Sequence, residues 1–417
     1  MNTFDFPIKL ALFFPACYNK PTVCRKQSGT DSEGQDMIYF DNGSTSSPKA
    51  PGVGEAVRTL IEGGCYNINR GAYAAAYAVE DMVLDTREQL CRLFGFDKPR
   101  NVIFTPGITY SLNILLKGLL KPGDHVIISS MEHNALMRPL NQLAKKGVAF
   151  SAAQADESGT LEPERVEKLI RPETRAVFML HASNVCGTLL PIYEVGEICQ
   201  RHKLFFVVDS AQTAGVFPIN MKQMHIDGLC FAGHKGLRGP QGIGGFLITD
   251  ELAQKIEPLL SGGTGSLSDS EEVPSMLPDR FEPGTMNLPG IAGLHRALTY
   301  INEYGIDRIR REELEITRIF LEGAMTLPNT RIAGRKDMQQ RGAIVSLDFE
   351  EQDNAEIAFR LENEYGIMTR CGLHCAPRAH KTLDTFPQGT VRFSFSHNNT
   401  PEEAAYCLES LKKLLAG

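Results

Sequence analysis

The sequence lacks the features that mark several whole classes of protein. No stretch approaches the roughly 18 consecutive apolar residues of a membrane-spanning helix. There is no excess of positive charge: 43 Lys and Arg stand against 50 Asp and Glu, a formal net of −7. No broad basic surface therefore argues for nucleic acid or an anionic membrane. Ten cysteines in 417 residues, without close even spacing, are too few for a disulfide framework, and reduced thiols in a cytosolic protein fit better. The 38 Gly and 23 Pro fall short of a low-complexity or collagen-like composition. No repeat of about 20–50 residues is present. What remains is an ordinary globular composition, 42% hydrophobic and 22% charged, at a length that suits about two or three domains.

The N-terminus stands apart. Leu10 to Ala16 is apolar, follows Lys9 and precedes Cys17, the outline of a short secretion or lipoprotein signal. The run is short, however, and Asp5 sits where positive charge is wanted. Residues 1–36 are expected to be a dispensable extension, with the globular pattern beginning near Met37. From there to about Leu260, short β-rich runs alternate with helical ones. Asn101–Thr105, His125–Ser129, Ala176–His181, Leu204–Asp209, Leu229–Ala232 and Gly245–Thr249 read as strands. Ile108, Leu112, Leu115, Leu116 and Leu119 form one face of a helix, and further helices are expected near Glu132–Lys146, Pro163–Ile170 and Tyr193–His202. This alternation predicts an α/β fold with a mainly parallel sheet covered on both faces, whose ligands sit beyond the carboxyl ends of the strands. Ser261–Pro289 reads as a long ordered loop. A helical pattern follows from Ile291 to Met325. Strands near Ala343–Phe349 and Val391–Ser396 and helices near Asn354–Tyr365 and Pro401–Leu415 then suggest a smaller α+β unit. The expected division is 37–290 for a large domain and 291–417 for a small one.

Several residues carry candidate chemistry. In Phe231-Ala-Gly-His-Lys-Gly, an apolar strand runs into Lys235, and a lysine at a strand end in a cleft can lose solvent, lose proton affinity and form a Schiff base. Asp209 ends another apolar strand, where a carboxylate is costly without a cationic partner; a helix cap or a metal ligand is the ordinary alternative. Gly107-Ile108-Thr109 lies between a strand and a helix, a place where free amides and the helix dipole favour an anion, although ordinary turns look the same. His133 follows a strand and could be a plain surface histidine. Cys375 could be a buried structural thiol, or part of a zinc site with Cys371, His374 and His380, though a second ligand pair at a recognised spacing is missing.

Taken together, Lys235 in Ala-Gly-His-Lys-Gly, Asp209-Ser-Ala-Gln212, Glu132-His133, His181-Ala-Ser-Asn184 and Arg370-Cys-Gly-Leu-His-Cys375-Ala resemble a pyridoxal phosphate (PLP) enzyme of the class V aminotransferase group. The nearest likeness is to SUF-type cysteine desulfurases and selenocysteine lyases, and it runs from about Ile38 to the C-terminus. The resemblance implies the type I PLP-transferase fold with a seven-stranded sheet, a homodimer and a link to iron–sulfur cluster assembly. It implies that Lys235 holds PLP, that Asp209 pairs with the pyridine nitrogen and Gln212 with the ring hydroxyl, and that His133 stacks on the ring and moves protons. Gly107, Ile108, Thr109 and His234 would form the phosphate site, with Gly284 and Thr285 reaching the phosphate of a neighbouring subunit. Asn184, Arg370 and Arg392 would hold the substrate carboxylate, which a guanidinium can grip through both oxygens. Cys375 would take sulfur from L-cysteine as a persulfide, leave L-alanine, and pass the sulfur to an acceptor such as a small carrier protein. The pattern departs from the family at Ala232, where a hydroxyl is common, and at Ile108, where a threonine is common. The rivals are a selenocysteine lyase, another class V transaminase or lyase, and a catalytically silent dimeric scaffold.

Overall fold

The structure, a computed structural model, describes residues 37–68, 73–266 and 269–416. The expected N-terminal extension, 1–36, lies outside them. Strand β1 (Ile38–Tyr39) leads into helices α1 (Val53–Glu62) and α2 (Ala74–Leu93). Then come β2 (Val102–Thr105), α3 (Ile108–Leu119), β3 (His125–Ser129), α4 (Asn134–Ala144), β4 (Ala149–Ala153), α5 (Pro163–Glu167), β5 (Thr174–Leu180) and α6 (Ile192–His202). Strands β6 (Phe205–Asp209), β7 (Gly228–Ala232) and β8 (Gly244–Ile248) precede α7 (Asp250–Lys255), α8 (Leu288–Tyr304) and α9 (Ile306–Ala324). The chain ends with β9 (Thr330–Ala333), β10 (Ile344–Phe349), α10 (Asn354–Tyr365), β11 (Ile367–Met368), β12 (Arg370–Gly372), α11 (Pro377–Thr382), β13 (Thr390–Ser394) and α12 (Pro401–Leu415).

Seven strands form the main sheet in the order β2-β8-β7-β6-β5-β3-β4. All neighbours are parallel except β8, which runs against both β7 and β2. Strands β3, β6, β7 and β8 are apolar along most of their length because both faces are covered. The period of two then sends alternate residues to different cores. Val126, Ile128, Ala176, Phe178 and Val207 meet Leu112, Leu116 and Leu140 of α3 and α4. Ile127, Val177, Met179, Phe206 and Val208 face Val83 and Leu90 of α2 and Leu294 and Leu298 of α8. The connection from β3 runs outward to β4, whereas that from β5 runs the other way to β6. The crevice beyond the carboxyl ends of β3 and β5 is therefore the switch point at which such sheets bind ligands.

A second sheet, β12-β13-β10-β9, is antiparallel throughout. Its core joins Val345, Leu347, Val391 and Phe393 to Ile316 and Phe320 of α9 and Leu411 of α12. Phe40 belongs to this core, and β1 pairs in parallel with β11, so the first described strand packs with the last part of the chain. The helical pattern expected from Ile291 to Met325 is two helices. Gly305 separates them at φ 92°, a left-handed conformation that glycine adopts without steric cost. The break divides the packing: Ile291, Leu294 and Leu298 of α8 lie in the core of the large sheet, and α9 turns to the small one.

Candidate active site

Three strand ends converge at the switch point. Asp209 closes β6 with only 7% of its surface exposed. Its Oδ1 accepts the Ala211 amide at 2.9 Å. Burial pushes its pKa up while Lys235 pulls it down. A buried carboxylate with so little compensation fits a cationic ring nitrogen. Lys235 lies three residues past the end of β7. Desolvation, with the charges of Arg392 and Arg370, brings its pKa down to about 8 against the opposing pull of Asp209. That is the condition in which a lysine is both a nucleophile and a base.

His133 follows β3 and is the N-cap of α4, where its Nδ1 accepts the Ala135 amide at 3.0 Å. That bond assigns the proton of the neutral ring to Nε2. Burial, reinforced by Lys235 and Arg370, lowers its pKa to about 4, so the ring is neutral near pH 7. Its neighbour Glu132 is fully buried. Glu132 Oε1 accepts the Ser129 hydroxyl at 2.5 Å and the amides of Ser129 and Leu180 at 3.3 and 3.2 Å. Burial pushes its pKa to about 8, with Asp209 adding to the rise. Gln212 Nε2 donates to the Gly43 carbonyl at 3.1 Å.

At the other end of this crevice, α3 begins at Ile108, and no side chain caps it at Gly107. Its first turn, with Thr109, keeps the character of an anion site. His234 Nδ1 lies 3.2 Å from the Thr45 hydroxyl. Gly284 and Thr285 are exposed, and Thr285 lines a cavity of about 240 Å³ with Thr105, Pro106 and Tyr110. Lysine, carboxylate, imidazole and uncapped helix start thus form a set that fits PLP.

The second sheet supplies the facing side. Arg392 in β13 is 1% exposed. It donates through Nη2 to Asp41 Oδ1 at 2.6 Å and Ser44 Oγ at 2.9 Å, and through Nη1 to the Asn184 carbonyl at 3.0 Å. Arg370 in β12 sits opposite Arg392 in register. It donates through Nη1 to Ser44 Oγ at 2.9 Å, and its Nη2 lies 3.9 Å from Cys375 Sγ. Asn184 Nδ2 donates to the His374 carbonyl at 2.8 Å while its Oδ1 is buried without a partner. Unlike the buried Cys91, Cys186, Cys199, Cys230 and Cys407, Cys375 is exposed. His374 and Cys375 both hold left-handed backbone, at φ 47° and 57°, a cost of about 1 kcal/mol or more at each non-glycine residue. The bonds that hold them there are the Asn184 amide on the His374 carbonyl and the Asn134 amide on the Cys375 carbonyl, the latter at 2.8 Å. The sulfur is thus presented from a loop fastened to the start of α4, beside His133. His374 Nε2 and His380 Nδ1 bond Thr390 and Thr385, and among the described residues no group of three or more His, Cys, Asp or Glu is arranged to hold a metal ion.

The structure therefore brings Lys235, Asp209, His133, Gln212, Asn184, Arg370, Arg392 and Cys375 to one region. Sequence reasoning missed Asp41, which binds Arg392, and Ser44, which binds both arginines. Their only signal was a run of turn-forming residues, Asp41-Asn-Gly-Ser-Thr-Ser-Ser.

The class-V aminotransferase profile matches residues 38–406. A probable cysteine desulfurase of Methanothermobacter thermautotrophicus is 31% identical over 386 residues, covering 91% of this chain and 95% of its own. One of Pyrococcus abyssi is 32% identical over 390 residues, with the same two coverages of 91% and 95%. Among solved structures, the apo cysteine desulfurase of Thermococcus onnurineus superposes with a TM-score of 0.85 at 32% identity, over 91% of this chain and 95% of that one. The cysteine desulfurase CsdA of Escherichia coli does so with a TM-score of 0.81 at 26% identity, over the same shares, 91% and 95%. With the type I fold and the lysine, aspartate and histidine at its strand ends, the chain belongs to the class-V aminotransferase family, in its cysteine desulfurase branch.

Proposed function

We propose that this protein is a PLP-dependent cysteine desulfurase that converts L-cysteine to L-alanine and receives the sulfur on Cys375. The observation that carries the reading is the exposed Cys375 Sγ held 3.9 Å from Arg370 Nη2, on a loop fastened to the start of α4 beside His133. A transaminase has no use for a sulfur in that position.

Lys235 would hold the cofactor covalently, Asp209 would pair with its ring nitrogen and Gln212 with its hydroxyl, and the first turn of α3 with His234 would take its phosphate. Bound there, PLP supplies an electron sink for negative charge at the substrate Cα. Arg392 and Arg370 would orient the α-carboxylate. Lys235 Nζ, its proton affinity lowered by burial, would take the Cα proton. His133, neutral and protonated on Nε2, would hold a proton that it can give to the substrate. Cys375 attacks the substrate Sγ: a new S–S bond forms, the Cβ–Sγ bond breaks, and its electron pair stays with Cβ, which is protonated to give alanine. Arg370 then faces the persulfide anion, which an acceptor thiol removes. A small sulfur-carrier protein is the proposed acceptor and iron–sulfur assembly the proposed use.

The proposed homodimer is supported by exposed Tyr73, Tyr77 and Leu84 on or beside α2, and by Leu259, Leu260 and Met276 on the segment leading to Gly284 and Thr285. Large apolar residues in that number mark an association surface. No helix among the described residues is long and apolar enough to cross a membrane, and a cytoplasmic location is proposed.

Alanine released from L-cysteine, wild type beside Cys375→Ala with a thiol reductant present, tests the reading. A loss of at least about a hundredfold is expected. Equal release by both proteins makes the thiol a bystander. No release by either, with bound cofactor visible, directs the substrate to selenocysteine, whose selenium leaves more readily and depends less on Cys375.

A further inference from the structure

The turn that carries Lys235 ends at Arg238, a residue the proposed chemistry does not use. Arg238 is 2% exposed and holds left-handed backbone at φ 60°. A residue other than glycine keeps that conformation where its surroundings impose it. Here its amide donates to the Lys235 carbonyl at 2.7 Å, and its carbonyl accepts the Ala50 amide at 3.1 Å. Its guanidinium reaches away from the turn. Nη2 donates to the Pro48 carbonyl at 2.9 Å, and Nη1 lies 3.1 Å from His397 Nδ1. A guanidinium can only donate, so His397 Nδ1 accepts. The ring proton then sits on Nε2, which lies 2.9 Å from the Tyr300 hydroxyl. Tyr300 and Tyr304 of α8 pack against the His397 ring, with centroids 6.0 and 5.0 Å away. Glu313 of α9, also buried, lies 3.9 Å from His397 Nδ1 and supplies negative charge to the buried guanidinium.

These bonds join three pieces of chain that meet at the site. Pro48 lies on the loop whose Asp41 and Ser44 hold Arg392 and Arg370. His397 follows β13, the strand of Arg392. The main chain of Arg238 fixes the turn of Lys235, on which Arg392 and Arg370 both act electrostatically. A buried guanidinium is expensive to desolvate, and the Nε of this one has no partner. An apolar residue of the same size would fill the space at less cost, but it would not tie the lysine turn to the segments that carry the arginines.

We propose that Arg238 is a positioning residue: through His397 and the Pro48 carbonyl it fixes the substrate arginines against the Lys235 turn, so that a carboxylate held by them sets the attached amine in line with the cofactor on Lys235. This rests on the reading of Lys235 as the cofactor lysine and of Arg392 and Arg370 as the carboxylate receptors. A small displacement between two groups that must grip one ligand is costly even when its source lies away from the chemistry.

Two reagents that attack the bound cofactor test it, aminooxyacetate, which carries a carboxylate, and O-methylhydroxylamine, which does not. Their rates are read from the visible absorbance of the loaded enzyme. In the wild type aminooxyacetate reacts faster. Arg238→Met should lower the ratio of the two rates by about tenfold or more. His397→Phe, which keeps a ring between the tyrosines but cannot accept the bond, should do the same. The double variant should fall within about twofold of the lower single one, because both changes cut one strap. A merely structural role would slow both reagents together, or loosen the cofactor, and leave the ratio in place. Should Arg238→Met fail to hold the cofactor, Arg238→Lys carries the comparison with a smaller fall, since an ammonium reaches one acceptor and not both. An unmoved ratio in either loaded single variant, or single effects that multiply in the double one, overturns the proposal. A loaded wild type that reacts no faster with aminooxyacetate overturns the carboxylate receptors and the proposal with them. A loaded wild type that shows the preference but releases no alanine from L-cysteine overturns the desulfurase reading alone, because the ratio does not depend on sulfur.

Discussion

The two sides of the proposed active site, one for the cofactor and one for the substrate, are built on different plans. The cofactor side is made of strand ends: His133 just after β3, Asp209 closing β6 and Lys235 just after β7, each placed by an apolar run that the sheet buries. The substrate side is made of crossings between distant parts of the chain. Asp41, Asn184, Arg370, Cys375 and Arg392 meet there only because β1 joins the C-terminal unit and β12 pairs with β13. A strand end is fixed by its own neighbours in sequence, so the first side tolerates little change in chemistry but much in surroundings. The second side depends on how the two sheets sit against each other, and small packing changes reach it.

Substitutions should separate the sides. Lys235→Ala is expected to give the largest effect, a loss of at least about a thousandfold in kcat together with the visible absorbance of bound cofactor. Arg392→Lys should instead keep that absorbance and raise KM by about a hundredfold, because an ammonium cannot reproduce the fork that meets Asp41, Ser44 and a carboxylate at once. Steady-state kinetics beside an absorption spectrum distinguishes the two. If Arg392→Lys also loses the cofactor, the two sides are not separate.

Acid should act on both. His133 and His380 are each lowered to about 4 by burial, His133 on the cofactor side and His380 behind the Cys375 loop. His181, next to the end of β5, is likewise lowered to about 4. In each case the folded state disfavours the proton, so the stability their neutral forms contribute is complete above the unfolded value of about 6.5 and is lost as pH falls towards 4. Denaturant unfolding at pH 7 and pH 5 should therefore show a clear loss of stability at the lower pH. His380→Gln should reduce proton uptake on unfolding at pH 5 by about one proton without altering cofactor absorbance.

The same division governs what the sequence reveals. The runs His125–Ser129 and Ile108–Leu119 appear in the structure with the boundaries their patterns predict, because a strand buried on both faces and an amphipathic helix both advertise themselves by period. Helix α2 is silent by that test: its buried face includes Arg87, which is paired with Glu282, and Gln89 alongside Val83 and Leu90. Strand β4, Ala-Phe-Ser-Ala-Ala at the sheet edge, is too short and too small in its side chains to stand out. The lysine, aspartate and histidine of the cofactor side are legible as chemistry at strand ends. Asp41 is not, because a polar turn near the start of a chain carries no period, and its importance lies wholly in Arg392, some 350 residues later by numbering.

Gly43 gives the finest test of the difference. A Cβ built there would lie 3.1 Å from Arg392 Cζ and 3.2 Å from Ser394 Oγ. These distances ask a neighbour to give by a few tenths of an ångström. On the cofactor side such a demand would be spread through a close-packed core. Here it falls on a guanidinium that Asp41, Ser44 and the Asn184 carbonyl already hold, and which moves only by loosening one of them. Gly43→Ala should therefore leave the cofactor spectrum unchanged and raise KM for L-cysteine by roughly fivefold to tenfold, about 1 kcal/mol. An unchanged KM would mean that Arg392 has room to yield, and that the substrate side is more compliant than its hydrogen bonds imply.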